Sequence, residues 1–382
     1  METFSPNILI LTTRTGGGHM NLARAIKEEL PAHYKISIED PYPSILHDYY
    51  AILSRYFLTA WDIQYKVFDS PKGALLFHRA MTFLIKQRVI DVIDKIKPDL
   101  IISTHSLLSY EVVKANEQRQ QEIPLVFQLT DLEEVHTTWF TDKHAAAYLA
   151  PSREIYAQAL RNGIDEERVY ATGRPIRKQF LQTSSFNRAE TLSVLGLDPD
   201  IFTVFLQGGA KGSAGVERTV KSILTADVPM QIILAVGNNP VLAAHFSNME
   251  HLHVLPFTEA IAPYMAASDL IAGKAGASFL SEAFMLEKPF LVTTFIPGQE
   301  GPSLRFLERH NLGWVRLNAA SQKQLLTDVA CNPVMMAEKI TCIRAYKAWN
   351  MQANETFAPI IEKVLKANSP LLQGEGLQEP AD

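Results

Sequence analysis

At 382 residues the chain exceeds one ordinary hydrophobic core and suits two domains. Hydrophobic residues make up 47% and charged residues 20%, a globular composition that confines disorder to short pieces. A net charge of −5 offers no basic field to nucleic acid, and two cysteines without paired spacing, Cys331 and Cys342, exclude a disulfide scaffold and fit a reducing cytoplasm.

The first apolar run, "NILIL", has no basic segment ahead of it and reads as a strand rather than a secretion signal. Nowhere does the chain keep about 18 apolar residues together, so no membrane-spanning helix is expected. From Ile8 the sequence runs "ILILTTRTGGGHMNLARAI": a β-branched strand, glycines at 16 to 18, His19, and a helical pattern from about Asn21. A second strand, "YKISIED", is followed by a crossover of roughly 60 residues, far more than the 10–12 a plain crossover needs. Two helical patterns fill it. Ile45, Tyr49, Ile52, Leu53, Tyr56, Phe57 and Trp61 recur at helical spacing in the first, and Leu75, Leu76, Phe83, Leu84 and Ile90 in the second. Aromatic residues with scattered Lys66, Lys72, Arg79, Lys86 and Arg88 suit an interfacial surface, although a helix pair packed on a sheet reads the same way.

"DLIISTH", "PLVFQLTD", "AAAYLAPS" and "VYATG" continue the strand–helix alternation of a parallel sheet. A second series opens at "FTVFLQGGAKG" and runs through "MQIILAVGNN", "HLHVLPF", "SDLIAGKAG" and "KPFLVTTFIPGQE". The expected organisation is an α/β domain over residues 1–175, a linker over 176–200 and a second α/β domain over 201–340. Helices over 341–368 are then free to cross back to the first domain, and 369–382 reads as a flexible tail.

A strand, a glycine turn and a helix aim backbone N–H groups and the positive end of the helix dipole at one point, which favours a phosphate or an oxyanion. The chain builds such corners at Gly16-Gly17-Gly18 and at Gly273 and Gly276, with a shorter one at Gly208-Gly209. The dinucleotide fingerprint fails, because its third glycine falls at Asn21, and no P-loop string occurs. Beside a helix start the dipole disfavours imidazolium, so His19 stays neutral near pH 7 and is available as a base; the alternative is a histidine that caps its own turn. Asp198-Pro199-Asp200 reads as a turn, and His251 and His253 as structural residues.

The strings "TGGGHMNLARAI", "STHSLL", "TDLEEVHTTWF", "GRPIR", "IAGKAGASFLSEAF" and "IPGQEGPSLRFL", in order from about Ile8 to Trp314, resemble the monogalactosyldiacylglycerol synthase and processive diacylglycerol glucosyltransferase family. That family is related to the peptidoglycan N-acetylglucosaminyltransferase and shares its GT-B fold, two Rossmann-like domains facing a cleft. The resemblance implies an inverting transfer of a hexose from a UDP-sugar to a diacylglycerol-type hydroxyl. It implies no cofactor, no metal and no nucleic-acid partner, with the enzyme peripheral on the cytoplasmic side of a membrane. Position by position, Glu282 would bind the ribose, Gly276 the diphosphate, Gln299 and Glu300 the sugar, and Phe257 the uracil, with Gly209 and Asn238 at the same cleft. In the first domain His19 would be the base, with Asp131 orienting it or acting as base itself, and Gly17, Gly18, His105 and His136 lining the mouth. The resemblance tips the long crossover toward membrane contact through Tyr56, Phe57 and Trp61. Two positions depart from the family pattern: Ser303 stands for an asparagine in GQExxN, and Thr137 for a proline. A UDP-N-acetylglucosamine transferase acting on a polyprenyl-linked precursor and a non-catalytic nucleotide-sugar-binding protein are the rival readings.

Overall fold

The computed structural model describes residues 5–14, 17–182, 186–208 and 215–368. The first lobe runs through β1 (Asn7–Leu11), α1 (Gly18–Glu29), β2 (Lys35–Glu39), α2 (Ser44–Tyr56), α3 (Leu58–Phe68) and α4 (Pro71–Ile96). It continues with β3 (Leu100–Ser103), α5 (Tyr110–Arg119), β4 (Leu125–Gln128), β5 (Ala147–Ala150), α6 (Arg153–Arg161) and β6 (Val169–Ala171). The second lobe follows α7 (Arg188–Val194) with β7 (Phe202–Gln207), α8 (Val216–Leu224), β8 (Met230–Gly237), α9 (Pro240–Phe246), β9 (Leu252–Pro256) and α10 (Ala262–Ala267). Then come β10 (Leu270–Lys274), α11 (Ala277–Met285), β11 (Phe290–Thr294), α12 (Gly301–Arg309), β12 (Gly313–Val315), α13 (Ala319–Cys331), α14 (Pro333–Asn354) and α15 (Phe357–Asn368).

All pairings within the two six-stranded sheets are parallel, with orders β2-β1-β3-β4-β5-β6 and β12-β11-β10-β7-β8-β9. The strands are near-continuous apolar runs because helices cover both faces. Strand order reverses between β1 and β3 in the first sheet and between β7 and β10 in the second, the places where open α/β sheets take their ligands. His19 follows β1, His105 follows β3, and Gly276 follows β10, so strand order alone brings the candidate residues to the two switch points. Gly273 pairs with Gln207 across β10 and β7, and a Cβ there would sit 2.3 Å from the Gln207 carbonyl, so only glycine admits this approach.

The lobes are tied together by the segment after β6 and by the last two helices. Ile343 and Tyr346 of α14 pack in the second lobe, whereas Phe357, Ile360 and Ile361 of α15 pack under β1 and β3 of the first. Asn350, nearly fully buried in α14, accepts from the Arg174 N–H at 2.7 Å and donates to the Arg174 carbonyl at 3.1 Å. Asp198-Pro199-Asp200 is a turn, closed by the Asp200 N–H on the Asp198 carboxylate at 2.9 Å. Among the described residues no helix is long and apolar enough to cross a membrane.

Replacing Asn350 strands two buried backbone groups at the joint. Asn350→Ala is expected to cost about 3 kcal/mol, read as a fall in the urea or thermal unfolding midpoint, and an unchanged midpoint would remove Asn350 from the joint.

Candidate active site

Helix α1 starts at Gly18, three residues before the sequence pattern suggests, because Gly17 adopts the left-handed conformation (φ 82°) that caps it. His19 therefore lies within the first turn, where the dipole acts most strongly. Its Nδ1 lies 2.8 Å from the Thr104 carbonyl oxygen. A carbonyl only accepts, so Nδ1 carries the hydrogen and Nε2 keeps its lone pair. Burial, with the Arg174 charge adding to it, pushes the imidazole down to about 4. The expected orienting role of Asp131 is corrected here: the Thr104 backbone, brought in by β3, holds the ring. Asp131 receives a hydrogen bond from the Thr130 hydroxyl at 3.2 Å, and burial raises its carboxyl to about 6 against the opposing pull of Arg174.

The ring of His105 meets that of His19 edge-on at 4.7 Å. The Leu107 N–H donates to His105 Nδ1 at 3.2 Å, and the Tyr42 hydroxyl lies 3.1 Å from the same atom. His105 Nε2 therefore carries the hydrogen. His136 is committed structurally: the Thr138 N–H donates to its Nδ1 at 3.2 Å, and its Nε2 lies 3.0 Å from the Tyr65 carbonyl. It lines the cleft but fastens α3 to the following turn. Thr137, standing where the family has proline, uses the N–H that proline lacks to reach Asp69 at 2.8 Å.

On the second lobe Gly276 caps α11, and Ser278 in its first turn donates to the Gly18 carbonyl at 3.0 Å, so the starts of α1 and α11 meet. Arg174, nearly fully buried, donates to Ser278 Oγ at 2.7 Å and to the Thr130 carbonyl, bridging the lobes. Glu282 is buried, and Arg177 donates to its Oε1 through Nε at 3.0 Å and Nη2 at 2.7 Å. Lys274 pairs with Oε1 of Glu300, while Oε2 accepts from the Ile296 N–H at 2.8 Å. Both carboxylate oxygens of Glu300 are thus engaged in setting Lys274 and the loop, and the side chain lines the cavity between the lobes. Gln299 accepts from the Tyr50 hydroxyl at 3.3 Å. The adjoining Gly298 (φ 74°) lets the loop approach α3 so closely that a Cβ would lie 3.0 Å from the Tyr65 ring.

Two cavities meet at this point. One, of about 250 Å³, is the more polar of the two and lies between the lobes, lined by Gly17, Gly18, Arg174, Lys274, Gly276 and Glu282 among others. Phe257 lines it from a largely exposed position. The other, of about 580 Å³, is walled by aromatic and aliphatic side chains of α2, α3 and α4, including Tyr49, Trp61, Phe68, Phe77 and Met81. His19, Tyr50, Thr130, Asp131 and Gln299 line both. Trp61, expected at the membrane surface, is instead half-buried in the apolar wall against Tyr50, with ring centroids 5.2 Å apart. Tyr56 and Phe57 are exposed, at 65% and 57%. Asn238 is exposed and off the cleft lining, because Gly237 (φ 58°) turns the chain there and itself faces the cavity. Ser303 is buried and lines neither cavity. Gly16 and Gly209 lie outside the described residues.

Residues 19–176 match the family model of monogalactosyldiacylglycerol (MGDG) synthase, and residues 203–303 match that of the glycosyltransferase family 28 C-terminal domain. Each match falls within one lobe of the cleft. The match to the monogalactosyldiacylglycerol synthase model covers less than half of the chain, and the rest of the cleft matches a glycosyltransferase domain. Monogalactosyldiacylglycerol synthase 3, chloroplastic, of Arabidopsis thaliana is 27% identical over 332 residues, covering 80% of this chain and 70% of the relative. The fold is GT-B. Anabaena HepE in complex with UDP and glucose superposes with a TM-score of 0.59 at 14% identity over 94% of this chain and all of that one. The calicheamicin glycosyltransferase CalG4 does so with a TM-score of 0.65 at 12% identity over 96% of this chain and all of that one.

Four polar residues at the junction received no role from the sequence: Tyr50, Arg174, Arg177 and Lys274. Lys274 had a visible signal, a cation at the end of a strand just before a glycine turn. Arg174 and Arg177 lie in "GRPIR", a string that carried the resemblance but no assigned role, at the boundary between the first domain and the linker, and Tyr50 lies on a helix read as surface. Lys274→Met is expected to weaken UDP binding about 10- to 100-fold, the range of one charge-assisted hydrogen bond, whereas Asn238→Ala leaves it within about twofold. Isothermal calorimetry with UDP checks both, and equal effects of the two would contradict the cleft lining described.

Proposed function

We propose that this chain is an inverting glycosyltransferase that moves a hexose from a UDP-sugar to the free hydroxyl of diacylglycerol, making glycolipid at a membrane surface on its cytoplasmic side. The observation that carries the reading is the meeting of the two cavities. The polar one offers helix-terminal N–H groups, Lys274 and Arg174, which suit a diphosphate. The apolar one has, among its described lining residues, no lysine or arginine. An uncharged lipid fits it, whereas a diphosphate-linked acceptor finds no counter-charge there.

In this reading Glu282, fixed by Arg177 through one oxygen, accepts from the ribose hydroxyls with the other, and Phe257 stacks on uracil. Gln299, oriented by Tyr50, reads the hexose. The lipid hydroxyl enters from the apolar side and gives its proton to His19 Nε2 as its oxygen attacks the anomeric carbon from the face opposite the diphosphate. That bond forms as the bond from the anomeric carbon to the diphosphate oxygen breaks, and the departing negative charge is taken up by Lys274, Arg174 and the start of α11. The Asp131 carboxylate faces the positive character that develops on the sugar.

Incubation with diacylglycerol vesicles and a panel of UDP-hexoses, followed by separation of the lipids, tests the reading directly; no glycolipid with any donor would overturn it. His19→Ala is expected to lower kcat by about 10²- to 10⁴-fold, the usual weight of a general base, with UDP affinity retained. Unchanged kcat in His19→Ala, with loss in Asp131→Asn, would move the base to Asp131. The pH dependence has a definite sign. Asp131 is charged above about pH 6 and neutral below it, while His19 remains deprotonated down to about 4. Thus kcat/KM should be full at neutral pH and fall as pH drops through 6, and Asp131→Asn should lose that limb. A flat wild-type profile between pH 5 and 7 would take the Asp131 charge out of the mechanism.

A further inference from the structure

We propose that the apolar cavity withdraws one acyl chain of the acceptor from the bilayer, and that its depth selects the chain length the enzyme uses. The proposal rests on the glycolipid-synthase reading and adds to it where the chains go. At roughly 30 Å³ for a water-sized group, a cavity of about 580 Å³ holds on the order of 20 such groups. That accommodates a glyceryl ester and most of one long chain, and it is too small for two.

The remaining chain has a place outside. The helices that wall the cavity also expose apolar side chains to solvent, Ile45 at 69% and Phe83 at 89%, so the second chain keeps an apolar surface or stays in the bilayer. Inside, the lining carries no described cation, and its one carboxylate, Asp131, stands at the junction with the donor cavity. The tautomer of His105 adds a donor next to the base: its Nε2–H is left for an ester carbonyl once Nδ1 is occupied by Leu107 and Tyr42. The chain's path is then set by Phe68 and Phe77, stacked at 4.7 Å, and by Met81, all of which line this cavity and not the donor one.

Ala80 of α4 is exposed and lines the cavity, so larger side chains there extend into the space without displacing packed neighbours. In the full-length protein, Ala80→Leu and Ala80→Phe should lower kcat/KM for dioleoylglycerol progressively more than for dioctanoylglycerol. The ratio should fall about tenfold for the larger residue, within the range a few methylenes command in an apolar pocket. UDP calorimetry reports that each variant is folded. Equal losses on both lipids, or none, would overturn the proposal. A second measurement needs no turnover. With Trp61, Trp314 and Trp349 replaced by phenylalanine, the nearly buried Trp139 in the cavity wall is the remaining tryptophan. Vesicles containing diacylglycerol with brominated chains should quench its emission, and vesicles containing only brominated phospholipid should not. Absence of quenching by the brominated diacylglycerol overturns chain uptake. Quenching without glycolipid formation would leave uptake standing while the proposed reaction falls.

Discussion

The cleft depends on the buried guanidinium of Arg174. It reaches Thr130 in one lobe and Ser278 in the other, and its own backbone is held by Asn350. Its neighbours Arg177 and Lys274 each have a carboxylate partner, but among the described residues none lies within ion-pair distance of Arg174. An unpaired buried cation beside the starts of two helices is unfavourable by itself. The same concentration of positive potential suppresses protonation of His19 and opposes the burial-driven rise of Asp131. An incoming diphosphate relieves the imbalance, so the site is organised for its anion before the anion arrives, and no carboxylate has to be displaced from Arg174 to admit it.

How much of this was legible in the chain follows from how local each signal is. The corners at His19 and Gly276 are written in contiguous residues: an apolar strand, glycine, then helical periodicity. The parallel order of the strands likewise follows from alternation. Arg174 and Tyr50 carry no such mark, because their importance comes from segments that meet only in three dimensions, Arg174 with Ser278 and Asn350, Tyr50 with Gln299. Helical spacing identified an apolar stripe containing Trp61 but could not say that the tertiary fold turns this ring inward while leaving Phe57 outside. The misplacement of Asn238 is smaller in kind: a single positive-φ glycine decides which of two adjacent residues faces the cleft.

The long crossover joins the two halves of the chemistry. Tyr50 from α2 touches Gln299, and Tyr65 from α3 packs against Gly298, so the wall of the apolar cavity is also the support of the loop after β11. The acceptor cavity is therefore not a property of the first lobe alone. Tyr50 and Tyr65 thus join the wall of the apolar cavity to the loop that carries Gln299.

This division of the cleft also bears on why sugar goes to a lipid and not to water. A UDP-sugar placed beside a neutral imidazole is open to hydrolysis if solvent reaches the anomeric carbon. On the acceptor side the route to that carbon passes through a cavity lined by Tyr49, Trp61, Phe68, Phe77 and Met81, where water gains few hydrogen bonds. The diphosphate side keeps its polar contacts, supplied by groups already fixed in place. A hydroxyl carried in on an acyl chain thus has an entropic and solvation advantage over water at the reacting centre. The apolar chamber accordingly serves the chemistry as well as the affinity.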